Sequence, residues 1–107
     1  EKLLSQVLIN LLKNAMQALE GQADGKIRME VDTEKNQLLI RVTDNGPGVP
    51  SDLIEDIFVP FFTTKATGSG IGLSLSRQII RMHGGELSVA SLPYRETCFT
   101  VSLPVKP

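Results

Sequence analysis

The 107 residues include no Trp and only one Cys, one His and one Tyr. One thiol cannot close an internal disulfide, and Cys98 with His83 falls short of the four ligands of a structural zinc site. A chain so poor in cysteine fits a reducing compartment. No apolar run approaches the roughly 18–20 residues that a membrane-spanning helix needs. Charge of either sign is balanced, 11 Lys+Arg against 12 Asp+Glu for a net −1, so no overall basic field exists to hold nucleic acid. Repeats and low-complexity tracts are lacking as well. What is present suits a globular domain: 41% hydrophobic and 21% charged residues argue against disorder. The length fits one domain with a single modest core. The chain opens at Glu1-Lys2-Leu3-Leu4 inside a helical pattern, with no leader peptide, and so reads as a piece of something longer.

Hydrophobic period gives the elements. Leu4, Leu8, Leu12, Ala15 and Leu19 recur at helical spacing and predict a helix over 2–20, stopped by Gly21. The period then falls to two. Ile27, Met29 and Val31 alternate with charged residues over 26–33, and Leu38, Ile40 and Val42 form a second alternating set over 37–43. The turn at 34–37 makes these a hairpin. A short helix is expected over 51–57. A longer one follows from about Ile71 to His83, with Ile71, Leu75, Ile79 and Met82 as its apolar face and Gly84 ending it. Leu87 and Val89, then Phe99, Val101 and Leu103, mark two further strands. Four strands with one apolar side each need covering, and two amphipathic helices are available. The expected fold is a two-layer α/β sandwich, with a mixed, mostly antiparallel sheet and its helices on one face. Residues 45–69 carry little regular pattern, and long connections of that kind inside a domain usually serve function or are disordered.

Four stretches could carry chemistry. Asn10 and Asn14 lie one helical turn apart, with Gln6, Lys13 and Gln17 nearby. They form either a solvated helix face or a source of neutral oxygen donors for a Mg²⁺ ion that already carries phosphates. Asp44, followed by Gly46 and Gly48, is either a strand-ending turn or a carboxylate that accepts from an exocyclic amine while glycines let a flat ring approach. Gly68-Ser69-Gly70-Ile71-Gly72 opens a helix, so it is either a linker or an anion site at the helix N-terminus. It matches neither the Walker A loop nor the dinucleotide fingerprint. Lys65 and the hydroxyls of Thr63, Thr64, Thr67 and Ser69 favour phosphate. Phe58, Phe61 and Phe62 read as anchors of the long connection on a satellite cluster. His83 reads as a helix-end residue that caps rather than reacts, and Tyr94 and Cys98 as a turn and a strand residue.

Taken in order, these stretches resemble the ATP-binding catalytic domain of bacterial sensor histidine kinases, in the superfamily of gyrase, heat-shock chaperone and mismatch-repair ATPases. Asn10-Leu11-Leu12-Lys13-Asn14-Ala15 resembles the N box, and Asp44-Asn45-Gly46-Pro47-Gly48 the G1 box. Phe58-Val59-Pro60-Phe61-Phe62-Thr63-Thr64-Lys65 resembles the F box of nitrogen-regulation-type sensors. Gly68-Ser69-Gly70-Ile71-Gly72-Leu73 resembles the G2 box. The resemblance covers nearly the whole chain and implies a Bergerat-type ATP-binding fold. It implies that Asn14 ligates Mg²⁺, that Asn10 sits beside it on the phosphates, and that Asp44 takes the adenine amine with help from the backbone at Gly46 and Gly48. Lys65 and the backbone of Gly68, Ser69, Gly70, Ile71, Gly72 and Leu73 would hold phosphates beneath a lid. Thr97 would support adenine through water, although Glu96 stands where the family has Gly. Gln17 stands where many relatives carry a phosphate-binding Lys.

Hydrolysing relatives place a Glu one turn before the metal-binding Asn. This chain has Asn10 there, and an amide cannot take a proton at neutral pH. The resemblance therefore implies a protein histidine kinase. It would transfer the γ-phosphoryl of Mg·ATP to a His on a separate dimerisation and phosphoacceptor domain of a homodimer, and thence to a response regulator. A superfamily ATPase, an anti-sigma-type Ser kinase and a nucleotide-sensing module are the alternatives. On this reading residues 1–107 are one catalytic domain, without the strand that precedes the N-box helix and without the dimerisation domain. No nucleic acid or membrane contact is expected. The domain would be cytoplasmic, whether or not the full-length protein is anchored in the inner membrane.

Overall fold

The structure, a computed structural model, describes residues 2–46, 48, 56–58, 72–92 and 96–105. Among these, helix α1 (Lys2–Ala18) is followed by strands β1 (Ile27–Glu34) and β2 (Gln37–Asp44), helix α2 (Gly72–Met82), and strands β3 (Glu86–Leu92) and β4 (Glu96–Pro104). The expected short helix over 51–57 lies largely outside the described residues; its end, Asp56–Phe58, is a 3-10 turn.

Local chemistry explains the boundaries. Gly21 takes φ +79° just beyond α1, a left-handed value that stops a helix at no steric cost to glycine. At the end of α2, Gly84 has φ +80°. The Gly84 amide donates to the Arg81 carbonyl and the Gly85 amide to the Ile80 carbonyl, both at 3.0 Å. That pair of bonds is the Schellman closure, which satisfies carbonyls the helix leaves open. Between β1 and β2 the loop is only Lys35 and Asn36, both at positive φ, as a type I′ hairpin requires.

The sheet order is β1-β2-β4-β3, and all three pairings are antiparallel. The parallel contribution expected of a mixed sheet is thus not found among the described strands. On β4, Thr97, Phe99, Val101 and Leu103 point into the core. They meet Val42 on β2, Leu87 on β3, Val7, Leu11 and Ala15 on α1, and Ile79 and Ile80 on α2. Side chains as fully buried as Leu11, Ile80 and Leu87 are each worth about 1.5–3 kcal/mol of transfer free energy.

Three expectations about burial are corrected. On α1 the deepest stripe is Val7–Leu11–Ala15, with Leu4, Leu8, Leu12 and Leu19 only half-buried on its flank. The helix packs against α2 as well as the sheet, so burial centres between the two. On α2 the inward face is Ser76, Ile79 and Ile80, whereas Leu75 and Met82 are 45% and 70% exposed; Ile71 lies outside the described residues. Strand β1, expected to be half-buried, is exposed along its whole length. It is an edge strand, and α1 crosses the sheet over its neighbour β2.

Candidate functional site

β2 and β4 run antiparallel with Asp44 opposite Thr97. Both side chains are buried, at 3% and 4% exposure. Two polar residues at the same end of adjacent central strands are out of place in a core unless something there requires them. The Asp44 carboxylate accepts from the Gly46 amide at 2.9 Å, and Thr97 Oγ1 lies 3.3 Å from Ser91 Oγ on β3. A Cβ at Gly46 would come within 3.0 Å of Asp44 Oδ1 and 3.2 Å of the Ala18 carbonyl. A side chain there would push against both the carboxylate and the end of α1, so glycine gives the loop its closest passage between them. Gly48 takes φ +83°, a second place where the loop relies on glycine.

The loop is held by Asn45, whose role is structural. Its Oδ1 accepts from the Lys26 amide at 2.7 Å, and its Nδ2 donates to the Asp24 carbonyl at 3.0 Å. Gln22 Nε2 donates to the Asn45 carbonyl at 3.0 Å. One side chain thus ties the α1–β1 connection to the start of the loop after β2.

Along α1, Asn10 and Asn14 are half-buried on one edge, and Ala18, whose carbonyl approaches Gly46, follows one turn later. Gln6 Nε2 donates to Asn10 Oδ1 at 3.2 Å, and Asn10 Nδ2 donates to Ser76 Oγ on α2 at 3.4 Å. The solvated-face reading of this edge is therefore incomplete, since Asn10 reaches across to the second helix. Gly72 and Leu73 form the first turn of α2, which leaves backbone N–H groups there without intrahelical acceptors. Lys65 and Gly68, Ser69, Gly70 and Ile71 lie outside the described residues, as do Phe61 and Phe62.

Phe58 belongs to the main core cluster rather than to a satellite. The Arg77 guanidinium lies 4.5 Å from its ring centroid, and Glu86 Oε1 is 3.6 Å from Arg77 Nε and 3.3 Å from Arg81 Nε. His83 Nδ1 is 2.8 Å from the Ile79 carbonyl. A carbonyl only accepts, so this nitrogen carries the proton and the ring closes the end of α2 as its position suggests.

Sequence reasoning missed Asn45, Ser76 and the link from Gln6. For Ser76 a signal existed, because a serine falls in the same helical stripe as Ile79 and Ile80. Asn45 carried none beyond a general turn preference.

No described helix is long and apolar enough to cross a membrane. No group of three or more His, Cys, Asp or Glu capable of holding a metal occurs among the described residues. Neutral amide oxygens such as that of Asn14 are hard donors that suit Mg²⁺, an ion that keeps waters and takes phosphate oxygens as its main ligands.

Known proteins share this sequence and this fold. The chain is 49% identical over 107 residues to the signal transduction histidine-protein kinase AtoS of Escherichia coli K12, covering 99% of this chain and 17% of that protein. It is 44% identical to the sensor histidine kinase ZraS of Salmonella typhimurium over 95% of this chain and 22% of that one. The chain thus spans about a fifth of the length of these relatives. Its backbone superposes on the catalytic domain of histidine kinase ThkA, in a nucleotide-free form, with a TM-score of 0.85 and 38% identity, covering 96% of this chain and 66% of that one. With residues 1–107 matching throughout, the chain belongs to the histidine kinase-, DNA gyrase B- and HSP90-like ATPase family.

Proposed function

We propose that this domain binds Mg·ATP between α1, the paired ends of β2 and β4, and the start of α2. The longer protein would use that site as a histidine autokinase. One observation carries the reading: buried Asp44 faces buried Thr97 at the sheet end that adjoins the Asn10–Asn14 edge of α1. The Asp44 carboxylate accepts from the adenine amine, with Thr97 behind it and Gly46 and Gly48 admitting the ring. Asn14 supplies an amide oxygen to Mg²⁺, and Asn10 lies against the phosphates. Lys65 and the backbone from Gly68 to Leu73 complete the phosphate grip. Magnesium, when bound, neutralises phosphate charge.

Transfer rather than hydrolysis follows from Asn10, which cannot take a proton from water. An imidazole nitrogen on the separate dimerisation domain forms the P–N bond as the bond from the γ-phosphorus to the bridging oxygen breaks. ADP leaves, and the imidazole proton passes to an acidic neighbour on that domain. Catalysis by this chain is then positioning and charge stabilisation. The homodimeric dimerisation domain and a response regulator are the partners, and the domain works in the cytoplasm. His83 is not the expected acceptor: it closes the end of α2 through the Ile79 carbonyl, and its sequence neighbours Met82, Gly84 and Gly85 offer no carboxylate to take the imidazole proton.

Asn14→Ala tests the site. Alanine is the better helix former by a few tenths of a kcal/mol, roughly, so the melting temperature should hold or rise. Mg²⁺-dependent ATP affinity should fall about ten- to a hundred-fold, the usual cost of losing a bond to a charged partner. Titration calorimetry with and without Mg²⁺ reads both arms, and unchanged Mg·ATP affinity would remove the metal-ligand role.

A further inference from the structure

Ser76 is fully buried on α2, at 0% exposure, in a position where an apolar side chain would fill the core. It accepts from Asn10 Nδ2 at 3.4 Å, while Gln6, one turn before Asn10, donates to Asn10 Oδ1 at 3.2 Å. An amide is nearly symmetric in shape and opposite in chemistry at its two ends, so its orientation is set by its neighbours alone. A serine hydroxyl inside a helix can turn its own proton toward the backbone of the preceding turn, which leaves its lone pairs for another donor. Ser76 then takes an N–H from Asn10, and Gln6 meets the oxygen.

We propose that Gln6 and Ser76 are positioning residues that clamp the Asn10 amide in one orientation, and so decide which end it shows the nucleotide phosphates. The proposal rests on the nucleotide site above. With one N–H held by Ser76 and one lone pair by Gln6, the second N–H of Asn10 keeps a fixed direction and can serve a phosphate oxygen. A reversed amide would present an oxygen to an anion. The closed surroundings of Ser76 keep water from replacing it, whereas Gln6 is exposed and holds the outer end less tightly.

The test is a double-mutant cycle in the complete polypeptide, reading Mg·ATP affinity by calorimetry and phosphotransfer by radiolabel. Ser76→Ala should weaken Mg·ATP binding about three- to ten-fold, in the range of one lost hydrogen bond, and Gln6→Ala by less. In an Asn10→Ala background neither change should cost anything further, because both act through Asn10. A merely structural role for Ser76 would give the same loss in both backgrounds and would overturn the clamp. So would an Asn10→Ala or Asn14→Ala loss unaccompanied by any effect of Ser76→Ala and Gln6→Ala. If Asn10→Ala and Asn14→Ala themselves leave binding intact, the nucleotide site fails and the clamp falls with it. Should Ser76→Ala melt early, Gln6→Ala decides, since an exposed position on α1 can lose its side chain without disturbing the core.

Discussion

Replacing Asp44 by Asn separates the contact its side chain makes with the Gly46 amide from the one proposed for it with adenine. Asparagine keeps an oxygen for the Gly46 amide, now 2.9 Å from Asp44 Oδ1, so the loop after β2 should hold its path. It brings an NH₂ and no charge to the adenine amine, so ATP affinity should fall about ten- to a hundred-fold. Preference over GTP should shrink with it, because a site that loses a matched polar contact loses its discrimination. Competition titrations of ATP and GTP on wild type and Asp44→Asn measure this; an unchanged ratio would take adenine away from Asp44. The site was legible only in part at this scale. Asp44 and Asn14 stood out by spacing and by family resemblance, but that Thr97 sits opposite Asp44 depends on strand register. β2 and β4 are not joined by a turn, and which of the four strands pair is decided between segments far apart in the chain, so the local alternation of either strand does not bring Thr97 to Asp44. Ser76 was passed over because a single serine in a helix is ordinary until the partner across the gap is known.

At the scale of elements, the α2–β3 junction carries a sharp contrast between neighbouring glycines. Gly84 has the left-handed φ but open space around it; a Cβ there meets only Pro104 at 3.5 Å. Gly85 has no such φ, yet its Cβ would drive into the Ser102 carbonyl on β4 and the Leu103 side chain. Gly84→Ala should therefore cost about 1–2 kcal/mol, the left-handed penalty. Gly85→Ala should cost more, because backbone must separate from backbone across the β3–β4 pair. Urea melts of the two variants give the order, and equal costs would contradict the close approach. Element ends were readable in advance for related reasons: Gly21, the 34–37 turn and Gly84 each need a conformation few residues adopt. Which stripe of each helix is buried was not readable. Leu75 and Met82 are apolar but outward, and Ser76 is polar but inward, because α2 is gripped from two directions by α1 and the sheet.

At the scale of the whole molecule, the described residues leave the apolar side of β1 open. Ile27, Met29 and Val31 point to the same side as Val42 and Ile40 through the β1–β2 register, yet they are 37%, 49% and 61% exposed. An uncovered edge strand of this kind favours association between chains. Val31→Lys should reduce concentration-dependent scattering of the 107-residue chain and shift stability by less than about 0.5 kcal/mol, as exposed substitutions do. A melting temperature several degrees lower would mean that the strand is packed more closely than its exposure indicates. The sheet order has a different consequence, one for synthesis. β4, the last of the described strands, is a central strand that pairs with β2 on one side and β3 on the other. While the ribosome is still making residues 96–104, the β1–β2 hairpin and β3 have no common neighbour, and Val42 and Leu87 have no Val101 or Phe99 to close over them. This domain cannot fold from its N-terminus as it emerges. Its sheet must wait for β4 to clear the exit tunnel, and until then the nascent chain presents its core to whatever chaperone stands at the exit.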